Sequence, residues 1–207
     1  SVLELPAAIV LFIFYSFVIT DILNLIFKRC VREGRLLKIW KRVNRSGISV
    51  LVFTGLFIIV SYFNAINVVT TKYDINTAKS LGIKTMKIAM ISDIHLGTAV
   101  NLAQLKKYCD EIQAYSPDIV VIDGDAFDEN TPKGYMEAAC KLLGQIKTIY
   151  GTYYVFGNHE KGIHGILPYF TINNVAENMV SNNIIVLEDE TRLVNNKFYI
   201  VGRKDAS

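Results

Sequence analysis

Two stretches of this 207-residue sequence, Leu5 to Thr20 and Ser46 to Thr71, contain no charged residue at all. Runs of that length without charge exclude a disordered, solvated chain. Cysteine is scarce: Cys30, Cys109 and Cys140 show no CxxC or His-paired spacing, so no disulfide framework is expected. Cys109 and Cys140 fall within helical patterns and read as packing residues. The 13 Gly and 4 Pro follow no period, which excludes collagen-like and other simple repeats. Histidine is rare too, with only His95, His159 and His164. What remains is a 51% hydrophobic chain whose eleven Tyr and eleven Phe supply ample core material.

The charges that do occur are unevenly placed. Lys28, Arg29, Arg32, Arg35, Lys38, Lys41, Arg42 and Arg45 face a single acid, Glu33, between positions 28 and 45. Beyond residue 72 acids slightly outnumber bases, so the net charge of +3 reports one short segment. It implies no nucleic-acid partner.

That segment separates two candidate membrane spans, Leu5 to Phe27 and Gly47 to Val69, each 23 residues long. About 20 apolar residues cross the hydrocarbon layer at about 1.5 Å per residue. Asp21 and Asn24 could mark the interface or face another helix. A cleaved signal peptide fits the first span less well, because no basic segment precedes it. Short loops rich in Lys and Arg stay on the cytoplasmic side. Residues 1–71 therefore read as a multi-pass membrane domain, two spans joined by a basic loop inside the cell, with the bilayer as partner. Everything after Val69 is then expected outside the cytoplasm.

From residue 72 the pattern turns to alternating short apolar runs and amphipathic stretches, the mark of an α/β domain. Strands are expected at Met86–Ser92, Asp118–Asp123, Thr152–Phe156, Ile184–Leu187 and Lys197–Val201. Helices are expected at Asn101–Tyr115 and Lys133–Ile146. The first strands should be mainly parallel, and chemistry in such sheets gathers beyond the carboxyl ends of the strands.

There the first three strands end in Ser92-Asp93-Ile94-His95-Leu96-Gly97, Asp123-Gly124-Asp125-Ala126-Phe127-Asp128 and Gly157-Asn158-His159-Glu160. Oxygen and nitrogen donors from three neighbouring strand ends suit Mn²⁺, Fe or Zn²⁺ better than Ca²⁺. Taken singly, Asp93 or Asp125 could cap a helix and Asn158 could make a turn. Asp123 reads as a turn residue and Glu160 as a solvated or supporting acid. His159-Glu160 followed by His164 imitates a zinc-protease motif, but the histidines are five apart rather than four and lie among Gly157, Gly162 and Gly165. His164 therefore reads as a loop residue.

Together, DIH (93 to 95), GDAFD (124 to 128) and GNHE (157 to 160) resemble the ordered DxH, GDxxD and GNH[DE] signature of the calcineurin-like metallophosphoesterases. The spacings of 32 and 33 residues from Asp93 to Asp125 and from Asp125 to Asn158 each fit one strand, helix and strand. The resemblance covers about residues 84 to 207; the membrane part is similar, far less specifically, to a membrane-anchored bacterial branch.

The resemblance implies the first part of an α/β/β/α sandwich and a membrane-anchored hydrolase of phosphomonoesters or phosphodiesters. It implies a binuclear centre of two divalent ions, with Mn favoured over Fe or Zn. Asp93 and His95 would hold one metal, Asn158 the other, and Asp125 would bridge them. His159 would act as general acid, with Asp128 orienting its ring. It also calls for further histidines downstream, and none follows His164, so the sequence reads as a fragment. The substrate would be a phosphorylated small molecule, lipid-linked or cell-envelope compound. A catalytically incomplete relative that binds metal or phosphate, or a membrane scaffold, stands as the alternative.

Overall fold

The computed structural model describes residues 4–30, 34–78, 82–162 and 169–206; His164 lies outside them. The chain divides into two compact units, Ser1–Thr71 and Lys72–Ser207.

In the first unit, helices α1 (Glu4–Cys30), α2 (Arg35–Arg45) and α3 (Ile48–Ile66) pack together. Two of them contain stretches long and apolar enough to cross a membrane, Ala7–Cys30 and Ile48–Ala65. Their contact is made of small and hydroxylated residues. Ser16, Thr20, Ser49 and Thr54 are buried, Thr54 Oγ1 donates to Ser16 Oγ at 3.0 Å, and Ser16 Oγ donates back to the Phe12 carbonyl at 2.7 Å. Phe12 stacks on Phe57 beside them. Val10, Leu11, Phe14, Phe17, Leu51 and Phe63 point outward.

Two expectations change here. The basic segment is not a loop, since most of it forms α2: Leu36, Leu37, Ile39, Trp40 and Val43 recur at helical spacing, a period that counting charge alone overlooks. The second apolar helix stops at Ile66 rather than Val69, because Asn67 leaves helical geometry (φ −96°, ψ 86°) ahead of two β-branched valines.

The second unit is α/β. Strands β1 (Ile88–Ile91), β2 (Ile119–Asp123), β3 (Thr152–Val155) and β4 (Ile184–Val186) form a parallel sheet in sequential order. The crossovers run through α4 (Leu102–Ala114), α5 (Lys133–Gly144) and α6 (Ile172–Ser181). Asn101 caps α4 through a reciprocal pair with Gln104, and Thr171 caps α6 with Asn174 in the same way. Side chains alternate across each strand, so Val120, Ile122, Tyr154 and Ile184 face a core shared with Leu105, Met136, Leu143 and Met179 of the helices. The opposite face, with Ile119, Tyr153 and Ile185, is covered by the antiparallel hairpin β5 (Glu190–Val194) and β6 (Phe198–Gly202). Gly202 allows that close approach, because a Cβ there would collide with Leu187. The last expected strand thus belongs to a separate sheet. α6 and β5 are not expected from the sequence, both being short and polar, with three asparagines in α6.

Candidate metal centre

Parallel pairing of β1, β2 and β3 brings their carboxyl ends side by side, and with them the three polar segments. The backbones then continue to pair beyond the strands: Asp93 N–H donates to the Gly124 carbonyl, His95 N–H to that of Asp125 and Leu96 N–H to that of Ala126. Contact this close requires glycine. Gly124 has φ +71°, and a Cβ on it would lie 2.8 Å from Gly157 Cα; a Cβ on Gly157 would collide with the Asp125 carboxylate. Asp93, His95 and Asp125 all adopt left-handed backbone, at φ 52°, 45° and 48°. Asp and His tolerate that region better than most residues but are strained in it, and such strain persists only where the surroundings over-determine it.

Those surroundings centre on Glu160. Its side chain is buried, and the carboxylate accepts the N–H groups of Gly157 at 2.9 Å, Phe127 at 3.1 Å and Asp125 at 3.2 Å. One acid thereby joins the second and third segments. Burial, with the Asp125 charge, raises its pKa against the lowering effect of the Phe127 and Gly157 N–H groups. The sequence is compatible with a supporting acid at Glu160; its burial follows from the 3-10 turn over His159–Lys161, which the local sequence does not announce. Thr131 braces the first segment, donating to the Leu96 carbonyl at 2.6 Å and accepting from Asp128 N–H at 2.8 Å.

Within this frame His95, Asp125 and His159 place one donor atom each within 4.8 Å of one another. The two imidazoles meet edge to face, 4.7 Å between centroids, and His159 N–H donates to Asp125 Oδ1 at 3.0 Å. Asp93 Oδ1 lies 3.8 Å from His95 Nε2. Asn158 opens the helical turn that carries His159. The His95 imidazole with the Asp125 and Asp93 carboxylates is a donor set that fits a divalent transition cation, and His159 stands within reach of a group bound there.

Asp128 stands between the two imidazoles. Its carboxylate bonds His95 Nδ1 at 2.5 Å and stands 3.6 Å from His159 Nδ1. The carboxylate nearer His159 is Glu129, at 3.3 Å, and Asp128, Glu129 and His159 form a second group with donor atoms within 4.8 Å. Sequence reasoning missed Glu129, which lies just past the GDxxD pattern; only the turn after β2 carries it back to His159. Burial by itself would lower the His95 pKa, but the hydrogen bond and charge of Asp128, with Asp125 and Asp93 behind it, outweigh burial and raise it above 6.5.

A family model described as calcineurin-like phosphoesterase matches residues 86–204. The chain is 37% identical over 103 residues to an uncharacterized metallophosphoesterase, Cj0846, of Campylobacter jejuni, covering 49% of this chain and 27% of that protein. It is 29% identical over 160 residues to a transmembrane protein with metallophosphoesterase domain of Bos taurus, covering 76% and 34%. An uncharacterized metallophosphoesterase of Helicobacter pylori is 32% identical over 100 residues, covering 48% and 26%. The matched segments thus span 26 to 34% of these relatives' lengths.

Proposed function

Because the chain belongs to the calcineurin-like phosphoesterase family, we propose that it forms a membrane-anchored, metal-dependent phosphoesterase whose centre is the cluster of His95, Asp125 and His159. The convergence of their donor atoms within 4.8 Å carries this reading. Asp93 and His95 would hold one divalent cation, Asn158 would contribute to a second, and Asp125 would serve both; Mn²⁺ would suit this mixed oxygen and nitrogen set. Divalent cations bound there supply charge neutralisation at the phosphate and a lowered pKa for water. His159 gives a proton to the departing oxygen, and the carboxylates of Glu129 and Asp128 lie 3.3 and 3.6 Å from its Nδ1. Glu160 keeps the GDAFD and GNHE segments in register while this happens.

α1 and α3 cross the bilayer and the basic segment between them stays in the cytoplasm, which places residues 72–207 outside it. The substrate is a phosphorylated small molecule or a lipid-linked or cell-envelope phosphoester. A reporter fused after Ser207 that is active only in the cytoplasm would refute the orientation.

For the chemistry, Asp125→Ala should abolish Mn²⁺-dependent hydrolysis of a chromogenic phosphodiester by the full chain together with cation binding. His159→Ala should retain a bound cation and slow turnover by roughly 10²–10⁴-fold, most for poor leaving groups. Loss of the cation in His159→Ala with activity surviving in Asp125→Ala would overturn these roles. Cation binding without any turnover would assign the site to a non-catalytic relative.

A further inference from the structure

α2 contains five cations and no acid. At about 100° per residue, Arg35, Lys38, Lys41, Arg42 and Arg45 fall within an arc of about 120°, opposite Leu36, Leu37, Ile39, Trp40 and Val43. Among the described residues no carboxylate pairs with any of these cations. The apolar side is divided in use. Leu37, Trp40 and Val43 are half-buried, and Trp40 stacks on Phe27 of α1 with ring centroids 4.7 Å apart and planes at 11°. Asn44 is tied to α3, its Oδ1 accepting from the Ser49 hydroxyl at 3.1 Å. Leu36 and Ile39 remain 70% and 50% exposed, beside the row of cations.

We propose that α2 lies along the membrane surface and binds anionic phospholipid headgroups, with its cations against the phosphates and Leu36 and Ile39 in the acyl boundary. The proposal rests on the reading of α1 and α3 as membrane spans. Given that reading, position argues for lipid over other anions. α1 ends at Cys30, α2 begins at Arg35 and α3 begins at Ile48, so both ends of α2 are held where the spans leave the hydrocarbon. A helix tethered at that depth, with apolar and cationic faces divided along its length, matches the boundary between acyl chains and headgroups. A free phosphate would leave Leu36 and Ile39 without a role. Lys28 and Arg29 in the last turn of α1 add positive charge at the same membrane level.

Trp40 is the chain's single tryptophan, so its fluorescence reports on α2 alone. The full chain would be reconstituted into phosphatidylcholine vesicles containing brominated phosphatidylglycerol or, at the same mole fraction, brominated phosphatidylcholine. The brominated anionic lipid should quench Trp40 severalfold more effectively at low salt. That preference should fall to parity in about 1 M salt, where the screening length is about 3 Å. It should also fall to parity in a Lys38→Gln, Lys41→Gln, Arg45→Gln variant and persist when Lys38 and Lys41 are replaced by Arg. Equal quenching by the two lipids, or a preference untouched by the triple variant, would overturn the proposal. If neither lipid quenches Trp40 and alkaline carbonate releases the chain from the vesicles, the membrane reading itself fails, and this proposal with it.

Discussion

The two units of this chain are built with opposite interiors. In the first, hydroxyls are inside and large apolar side chains outside: Ser16 and Thr54 meet between α1 and α3, while Leu51 is 71% exposed. In the second, Leu105, Ile122, Met136 and Tyr154 are buried, and the exposed face of α4 is laced with Lys106–Asp110 and Lys107–Glu111 pairs. Both units are rich in the same apolar residues. The proposed membrane setting of the first unit accounts for the difference, since burying leucine is favourable only against water, whereas two helices in hydrocarbon would gain by close contact and shared hydrogen bonds.

The strongest way to break this contrast is to make the same substitution on both sides. Leu105→Ala should destabilise the α/β unit by about 2–5 kcal/mol in denaturant unfolding, because it leaves a cavity. Leu51→Ala should change the stability of the first unit in detergent by no more than about 0.5 kcal/mol. Comparable losses at the two positions would show that α3 packs as a soluble core helix and not as a membrane span.

Next in size is the effect of Glu160→Gln. The amide has one oxygen for the three N–H groups and turns its own donors toward some of them, which should cost about 1–3 kcal/mol in thermal unfolding. It should also lower Mn²⁺ affinity without removing a ligand. Wild-type affinity in a folded variant would show that Glu160 holds the loops without fixing the site.

The charge on His95 should make cation binding sensitive to pH in a way the first unit is not. A bound cation needs neutral imidazole. Because Asp128 and its neighbours raise the His95 pKa above 6.5, lowering the pH should begin to weaken affinity while the pH is still above 6.5, and below the raised pKa affinity should drop about tenfold per unit in calorimetric titrations. Asp128→Asn should move the fall to lower pH. For the cation-free chain the sign is reversed: the stabilisation of protonated His95 is complete below about 6.5 and is lost as pH rises through the raised value.

The smallest effect belongs to the apolar pair of helices. Thr54→Val removes the hydroxyl that donates to Ser16, and interhelical hydrogen bonds in membranes are worth about 0.6 kcal/mol on average. Fluorescence transfer between labelled α1 and α3 peptides in bilayers should register a shift of about that size.

How much of this was legible beforehand depends on whether the signal is local. The uncharged runs gave both apolar helices, and the alternating runs gave β1 to β4 with α4 and α5, because helix and strand periods are written in neighbouring residues. α2 carried the same periodic signal, hidden by its charge. α6 and β5 are short and polar, and the burial of their own Val175 and Val194 in the two cores decides them. Of the expected site, His95, Asp125 and His159 converge, and Asp93 stands beside them. The pairing of Asp128 with His95 and the nearness of Glu129 to His159 depend on how a turn after β2 folds back across a gap between strands.

The ingredients are legible in the sequence: two apolar helices flanking a basic segment, an α/β unit, and three strand-end segments carrying Asp, His and Asn in a fixed order. These follow from composition, period and spacing, which act over a few residues. Which donors face one another, and that Glu160 is buried against three N–H groups, was settled by the packing of distant segments. Those outcomes depend on parallel strand register and on glycines that let separate loops touch, and no single segment contains the information for either.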